Sequence, residues 1–270
     1  MVPSIGVIGL GRMAQALVEP LLSSKAFSAD QVLAVVGTAA TADRLRQGAF
    51  GAVSIHPSDR SEAQQVWSAP VQLLAVKPQQ VDGIAAAVPA VHNNPLLVSV
   101  LAGVSLDRLQ RLFPGHRVVR AVPNTPALVG QGLTALAWGE AISPEQRLQV
   151  RALFAGVSEV LELPEAKLDA FLALTSSGPA FVALMAEAMA DGAVAAGLPR
   201  DLAHRLAHRT LAGTAALLDQ RQLHPASLKD MVTSPGGTTI AGVRALERAG
   251  ARSAFMEAVI AAAERSRDLA

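Results

Sequence analysis

The chain has 270 residues, of which 51% are apolar, 17% charged and only 3% aromatic, with no cysteine and no tyrosine. At about 150 residues per domain this is one or two domains, and the apolar fraction suffices for a core, which excludes intrinsic disorder. Zero cysteine removes disulfides, thiolate nucleophiles and Cys-ligated zinc together, and 23 basic against 22 acidic residues leave no electrostatic footprint for nucleic acid.

The apolar excess raises the question of a membrane span. The charge-free stretches from Ile84 to Leu106 and from Ala170 to Ala186 are candidates. The first is interrupted by Pro89, Asn93, Asn94 and Pro95, the second by Thr175-Ser176-Ser177-Gly178-Pro179, so neither reads as a clean span of about 20 residues. The first residues lead into an apolar strand without a basic region, so no signal peptide is expected. The expectation is a soluble, cytoplasmic protein with no membrane or nucleic-acid partner, whose excess apolar surface is buried between subunits.

Along the chain, short apolar runs come first: Ile5–Ile8, Val32–Val36, Val71–Val76, Leu96–Leu101, Val118–Val122, Leu133–Ala137 and Val157–Leu163. They are apolar throughout rather than alternating, as strands buried on both faces are. Helical patterns lie between them, at Met13–Leu22, Ala42–Gln47 and Leu106–Leu112. Ser143-Pro144-Glu145-Gln146 is a capping box that opens another helix, and Gly156 ends it. After Pro164 the strand signals stop. Lys167–Thr175, Ala180–Ala196, Leu202–Leu218, Gly242–Arg248 and Ser253–Leu269 read as helices rich in small residues. The expected architecture is α/β: a doubly wound, mostly parallel sheet over 1–163, followed by an all-helical domain over 164–270.

The first strand runs into Gly-x-Gly-x-x-Ala, spanning Ile8, Gly9, Leu10, Gly11, Arg12, Met13 and Ala14. Gly9 allows the tight turn, Gly11 lets the backbone approach a pyrophosphate, and Ala14 lets the new helix pack on the strand. The helix N-terminus offers amides and a positive dipole end to the phosphates. A site preferring NAD usually carries Asp or Glu at the end of its second strand, to hold the ribose 2′-hydroxyl. Here that strand ends in Val36-Gly37-Thr38-Ala39-Ala40-Thr41, with no carboxylate before Asp43. This leaves room for a 2′-phosphate, with Thr38 and Thr41 as donors and Arg44 as the nearby cation. NADPH is the favoured cofactor, with NADH as the alternative.

Four further stretches stand behind the fingerprint: Ala75-Val76-Lys77-Pro78, Arg120-Ala121-Val122-Pro123-Asn124-Thr125-Pro126, Ser177-Gly178-Pro179-Ala180-Phe181, and the run from Val232 to Gly242 that contains Ser234-Pro235-Gly236-Gly237-Thr238-Thr239. In this order they closely resemble the pyrroline-5-carboxylate reductase family, over essentially the whole chain. The resemblance implies a Rossmann domain followed by a helical dimerisation domain. It also implies NAD(P)H-dependent reduction of 1-pyrroline-5-carboxylate to L-proline, the last step of proline biosynthesis. Dimers through intertwined C-terminal helices, and decamers of five such dimers, are the assemblies it implies.

The substrate is a small cyclic imine with one carboxylate. Ser234 can cap a helix, Pro235 suits its first turn, the glycines expose amides, and the Ser234 and Thr239 hydroxyls add donors. The resemblance assigns the substrate carboxylate to Ser234, Gly237, Thr238 and Thr239, and places Glu165 near substrate and nicotinamide. A solvated first-turn glutamate is the other reading of Glu165. It further sets the backbone of Ala75, Val76, Lys77 and Pro78 against the nicotinamide ribose and Val100, Leu101 and Ala102 beside the nicotinamide. Arg120 is open between a cofactor contact and a support for the Pro123–Pro126 loop.

A cyclic imine can be protonated before attack, so the protein mainly has to orient its reactants and needs no strong acid. The family's threonine before Ser-Gly-Pro is matched by Leu172, which leaves Thr175 and Ser177 as candidate catalytic hydroxyls. Asp59 and Met231 also stand where the family has asparagines at the cofactor. His204 and His208 form an i, i+4 pair without a further ligand, so no metal is expected. β-Hydroxyacid dehydrogenases carry a catalytic lysine on the long second-domain helix, and Ala180–Ala196 contains none. A non-enzymatic NADP sensor is the remaining alternative.

Overall fold

The computed structural model describes residues 4–24 and 27–268. Eight strands form one sheet: β1 (Ile5–Ile8), β2 (Val32–Val36), β3 (Ser54–Pro57), β4 (Val71–Leu74), β5 (Leu96–Ser99), β6 (Arg117–Pro123), β7 (Gly132–Trp138) and β8 (Ser158–Glu162). Their order is β3-β2-β1-β4-β5-β6-β7-β8, and every pair is parallel except β6–β7. β1, β2, β4 and β5 are buried at every position, as a sheet covered on both faces requires. The register aligns Ile8, Leu74, Ser99 and Arg120 across the sheet. This row marks the C-terminal ends of β1, β4 and β5, the edge at which open α/β sheets bind ligands.

On one face, side chains of α1 (Arg12–Ser23), α2 (Ala39–Arg46) and α5 (Pro144–Ala155) complete a core that includes Leu17, Leu45 and Phe154. On the other, α3 (Val81–Ala86), α4 (Leu106–Leu112) and a 3-10 turn at Ser61–Ser68 close over Leu74, Leu97 and Val118. The capping box at α5 is complete: Gln146 N donates to Ser143 Oγ and Ser143 N to Gln146 Oε1.

β3 lies outside the seven apolar runs. It is an edge strand with a mixed burial pattern, and the edge tolerates its Pro57 and its polar residues. Val71–Val76 and Leu96–Leu101 prove shorter as strands because Ala75-Val76 and Val100-Leu101 already turn off the sheet edge.

The remaining helices are α6 (Leu168–Thr175), α7 (Gly178–Ala195), α8 (Arg200–Gln220), α9 (Pro225–Met231), α10 (Thr238–Arg248) and α11 (Ala251–Asp268). Leu269, the expected end of the last one, lies outside the described residues. The chain divides into two compact units, residues to Ser176 together with those from Ala263 onward, and Ser177–Ala262. The strands end at Glu162, near the boundary expected at residue 164. The packing division comes later because α6 lays Leu168, Phe171 and Leu172 on Val122, Ala135 and Ala137 of β6 and β7.

In the second unit α7 and α8 pack through Ala190, Ala203 and Ala207, small residues that let helix backbones approach closely. Most of its large apolar side chains stay exposed, among them Leu184, Leu246 and Met256. The helical run Glu165–Ala195, which bends at Ser176-Ser177, is long and apolar enough by length and composition to cross a membrane. Ser176 and Ser177 stand out of the helix within the interruption expected at Thr175–Pro179, and length and composition alone do not make the run a span.

Candidate active site

The turn from β1 into α1 places the glycine motif at the sheet edge. Gly9 has φ +89°, and a Cβ there would lie 2.8 Å from Ala75 O and 2.7 Å from Val76 Cγ1. Conformation and space both demand glycine. Gly11 differs: it is the N-cap of α1 at φ −76°, and among the described residues nothing lies within 4 Å of an added Cβ. α1 begins with no side-chain cap and no acidic residue in its first turn, so its free amides and positive end face that open space. This donor set fits a pyrophosphate. The Ile8 and Leu10 side chains are buried, which leaves only their backbone for a ligand, while Arg12 is exposed and Met13 half-buried. Gln15 Nε2 donates to Leu10 O at 2.9 Å and pins the turn. The sequence reading missed Gln15, because a side chain reaching back five residues leaves no periodic signal.

At the end of β2, Thr38 caps α2. Its hydroxyl accepts from Thr41 N at 3.2 Å and donates to Thr41 Oγ1 at 3.0 Å. The pair was expected to supply two donors; the Thr38 proton is directed to Thr41 Oγ1, so the remaining hydroxyl donor is Thr41. Asp43 pairs with Arg46 at 2.7 Å, and Arg44 is exposed one turn into the helix.

Ala75 and Val100 leave the sheet through amide bonds to Ile8 O and Leu74 O, at 2.8 and 3.0 Å. Lys77 is exposed; its amide donates to Gln80 Oε1, and Pro78 opens the short turn that follows. Leu101 is buried, with its amide on Ser99 Oγ, whereas Ala102 is exposed.

Glu165 is not a solvated glutamate. Its Oε1 accepts from Leu106 N at 2.7 Å and from Arg120 Nη1 at 3.1 Å. Arg120 is buried, and its Nη2 lies 3.6 Å from Asp169 Oδ1, which also accepts from Ser266 Oγ at 2.8 Å. Arg120 therefore ties β6 to the start of α6. The Pro123–Pro126 loop is held instead by Asn124, buried and bonded at both ends, from Nδ2 to Thr175 O (3.0 Å) and at Oδ1 by Leu133 N (2.8 Å). The sequence reading quotes Asn124 within the Arg120–Pro126 stretch but gives it no role, since its partners lie up to 51 residues away. Thr175 Oγ1 donates to Phe171 O at 2.8 Å, so its proton serves its own helix. Leu172 is packed in the apolar cluster of β6 and β7.

In the second unit, Ser234–Gly237 forms a turn closed by Gly237 N on Ser234 O at 3.0 Å, with Gly236 at φ +68°. Proline second and a positive-φ glycine third is the pattern of a type II turn. Ser234 and Pro235 therefore precede α10 rather than cap it, because the N-cap is Gly237. A Cβ at Gly237 would collide with Ser234 Oγ. α10 opens on Thr238 and Thr239 with no side-chain cap and no acidic residue in its first turn, a second anion-competent terminus. Ser177 is the N-cap of α7 and makes no side-chain capping bond. His204 and His208 sit on α8 with ring centroids 6.3 Å apart.

A doubly wound sheet whose glycine turn opens on an uncapped helix, followed by a helical unit, defines a two-part oxidoreductase of the dinucleotide-binding class. Residues 165–269 match the family model described as pyrroline-5-carboxylate reductase dimerisation, and residues 4–103 match one described as NADP oxidoreductase coenzyme F420-dependent. Pyrroline-5-carboxylate reductase of Synechocystis sp. is 47% identical over 98% of this chain and 97% of its own length. The enzyme of the same name from Glycine max is 40% identical over 98% and 96%. The crystal structure of Plasmodium falciparum pyrroline carboxylate reductase with NADP bound superposes with a TM-score of 0.88 over 99% of this chain and 98% of that one. At 24% identity that likeness is one of fold. The chain belongs to the pyrroline-5-carboxylate reductase family.

Proposed function

We propose that the protein reduces 1-pyrroline-5-carboxylate to L-proline with NADPH, as a cytoplasmic homodimer that can assemble further into decamers. Family membership supports the reaction. The observation that carries the substrate assignment is the Ser234–Thr239 turn and helix start: uncapped amides, the Ser234 and Thr239 hydroxyls and no opposing carboxylate in the first turn. These groups suit the single carboxylate of a cyclic imine. Residues 1–163 serve as the cofactor domain and 164–270 as the substrate and dimerisation domain.

Backbone amides after Gly9 and around Gly11 hold the pyrophosphate. Ala75–Pro78 and Val100–Ala102 flank the nicotinamide half, and Glu165, in the turn before α6, supports the second of these segments through the Leu106 amide. The absence of a carboxylate in the first turn of α2, with Thr41 as donor, supports NADPH over NADH. The reduced nicotinamide supplies the hydride that reaches the imine carbon. The protein binds the carboxylate, orients the ring and needs no strong acid, because the imine nitrogen can be protonated beforehand. With the Thr175 proton on Phe171 O, Ser177 or water is left as the partner for the ring nitrogen. 3-Hydroxyacid chemistry of the β-hydroxyacid dehydrogenase kind is disfavoured by the lack of lysine on α7.

Ser234→Ala combined with Thr239→Val tests the assignment. The KM for the imine is expected to rise about tenfold or more, for the loss of two hydrogen bonds to a charged group, while the Kd of NADPH stays constant. An unchanged KM contradicts it.

A further inference from the structure

Arg120 is the one residue of the Ile8–Leu74–Ser99–Arg120 row that brings a full charge into the sheet. Its side chain is 5% exposed, and its Nε has no hydrogen-bond partner among the described residues. Burying a guanidinium with carboxylates is expensive, and apolar residues of the same volume usually stabilise a fold as well or better. Stability alone is therefore a poor reason for this cluster. Its geometry offers a better one. A single oxygen, Glu165 Oε1, takes both Arg120 Nη1 and the amide of Leu106.

Leu106 is the first residue of α4, and Ser105 beside it is occupied with Arg108 N. The loop from Val100 to Ser105 is thus fastened at both ends, by Val100 N on Leu74 O and by Leu106 N on Glu165. Between those ends Gly103 stands at φ +72° and Val104 is buried. Asp169, held in turn by Ser266 near the end of α11, steadies the other prong of the guanidinium. All of these groups belong to one compact unit.

We propose that Arg120 is a positioning residue for hydride transfer: through Glu165 it sets the height of the Val100–Ser105 loop against the nicotinamide, without touching cofactor or substrate. The proposal rests on the reading of the chain as an NADPH-dependent imine reductase. A loop misplaced by about 1 Å costs on the order of a hundredfold in rate, whereas binding energy contributed elsewhere is unaffected. The guanidinium is a rigid fork reaching two carboxylates, and a lysine ammonium reaches one.

The test compares wild type with Arg120→Met and Arg120→Lys. In Arg120→Met, kcat is expected to fall about 10- to 100-fold, with the KM of the imine and the Kd of NADPH within about threefold. The primary isotope effect with NADPH deuterated at the transferred hydrogen rises, because chemistry becomes slower than release. Amide exchange over residues 100–106 speeds up, while β1 and β4 keep their protection. Arg120→Lys recovers part of both kcat and protection.

An unchanged kcat in folded Arg120→Met overturns the proposal, as does a loss of rate with unchanged exchange over 100–106. A rise in NADPH Kd matching the fall in kcat also overturns it, since that marks a direct cofactor contact. If Arg120→Met does not fold, Arg120→Lys decides: intermediate kcat with faster exchange at Leu106 supports the proposal, and wild-type values overturn it. Failure of the wild type itself to oxidise NADPH with the imine refutes the functional reading instead, and exchange over 100–106 in the variants still decides whether Arg120 orders the loop.

Discussion

His116 links the fold to pH. It is buried between Trp67 and Phe113, with ring centroids 6.1 and 5.8 Å away. Gln72 Nε2 donates to Trp67 O and Ala69 O, which turns its Oε1 toward His116 Nε2 at 3.0 Å. That contact requires Nε2 to carry the proton in the neutral ring. Burial pushes the His116 pKa below its ordinary value, because the imidazolium would lose its hydration. The folded state thus holds His116 neutral where the unfolded chain begins to bind a proton, near pH 6.5. Its contribution is fully present above that pH and declines as pH falls through it. The melting temperature should drop between pH 7 and pH 5, two pH values bracketing the ordinary histidine range of about 6.5. His116→Gln, which keeps a donor toward Gln72, should flatten part of that drop. An equal slope in the variant would exclude His116 as a source. No periodicity reveals this residue. Taken alone it reads as a loop histidine, and its burial comes from an aromatic cluster assembled across the α4–β6 turn and the Ser61–Ser68 turn.

The turn that opens α1 separates two roles of glycine within one motif. A methyl group at Gly9 meets backbone at a positive φ, so Gly9→Ala should unfold the β1–α1 turn and cost stability. Gly11→Ala meets only open space, so it should fold normally, with its melting temperature within about 2 °C of wild type for an exposed substitution of small cost. Its methyl would project where the pyrophosphate approaches, and the Kd of NADPH should rise at least about tenfold. Equal NADPH binding in folded Gly11→Ala would remove this turn from the cofactor site. The strands that carry the site were legible because burial on both faces leaves uninterrupted Val, Ile and Leu runs. The box at Ser143–Gln146 was legible because capping is local. β3 was not, since an edge strand of Ser, Ile, His and Pro has neither a run nor an alternation. The Ser234–Thr239 segment was recognised by its residues but set one turn wrong, because Ser-Pro fits a helix start as readily as a type II turn. The Arg120–Glu165–Asp169 cluster was invisible as a cluster. Its members are dispersed in sequence and meet only through the β6–α6 packing.

At the scale of the molecule, the apolar excess of the composition collects on α7 to α11. Leu184, Leu246 and Met256 are 67, 61 and 59% exposed in one chain, and each such side chain gains about 1.5–3 kcal/mol when fully buried. A second copy that covers these faces explains the composition, and the match to a dimerisation model gives the same partner. Sedimentation at micromolar concentration should find a dimer or a multiple of it. Leu184→Asp should shift it toward monomers that bind a hydrophobic dye, and a wild-type monomer at that concentration would contradict the self-association. The near-balanced charge suits an enzyme that captures an anionic metabolite with backbone amides instead of a basic patch. Steady-state oxidation of NADPH with 1-pyrroline-5-carboxylate, run beside reduction of NADP+ by 3-hydroxyacids, tests the account most directly. The imine should turn over with kcat/KM of at least about 10,000 per molar per second, the low end of ordinary enzymes, with NADPH preferred to NADH and the hydroxyacids inert. No turnover of the imine, or faster turnover of a hydroxyacid, would contradict it.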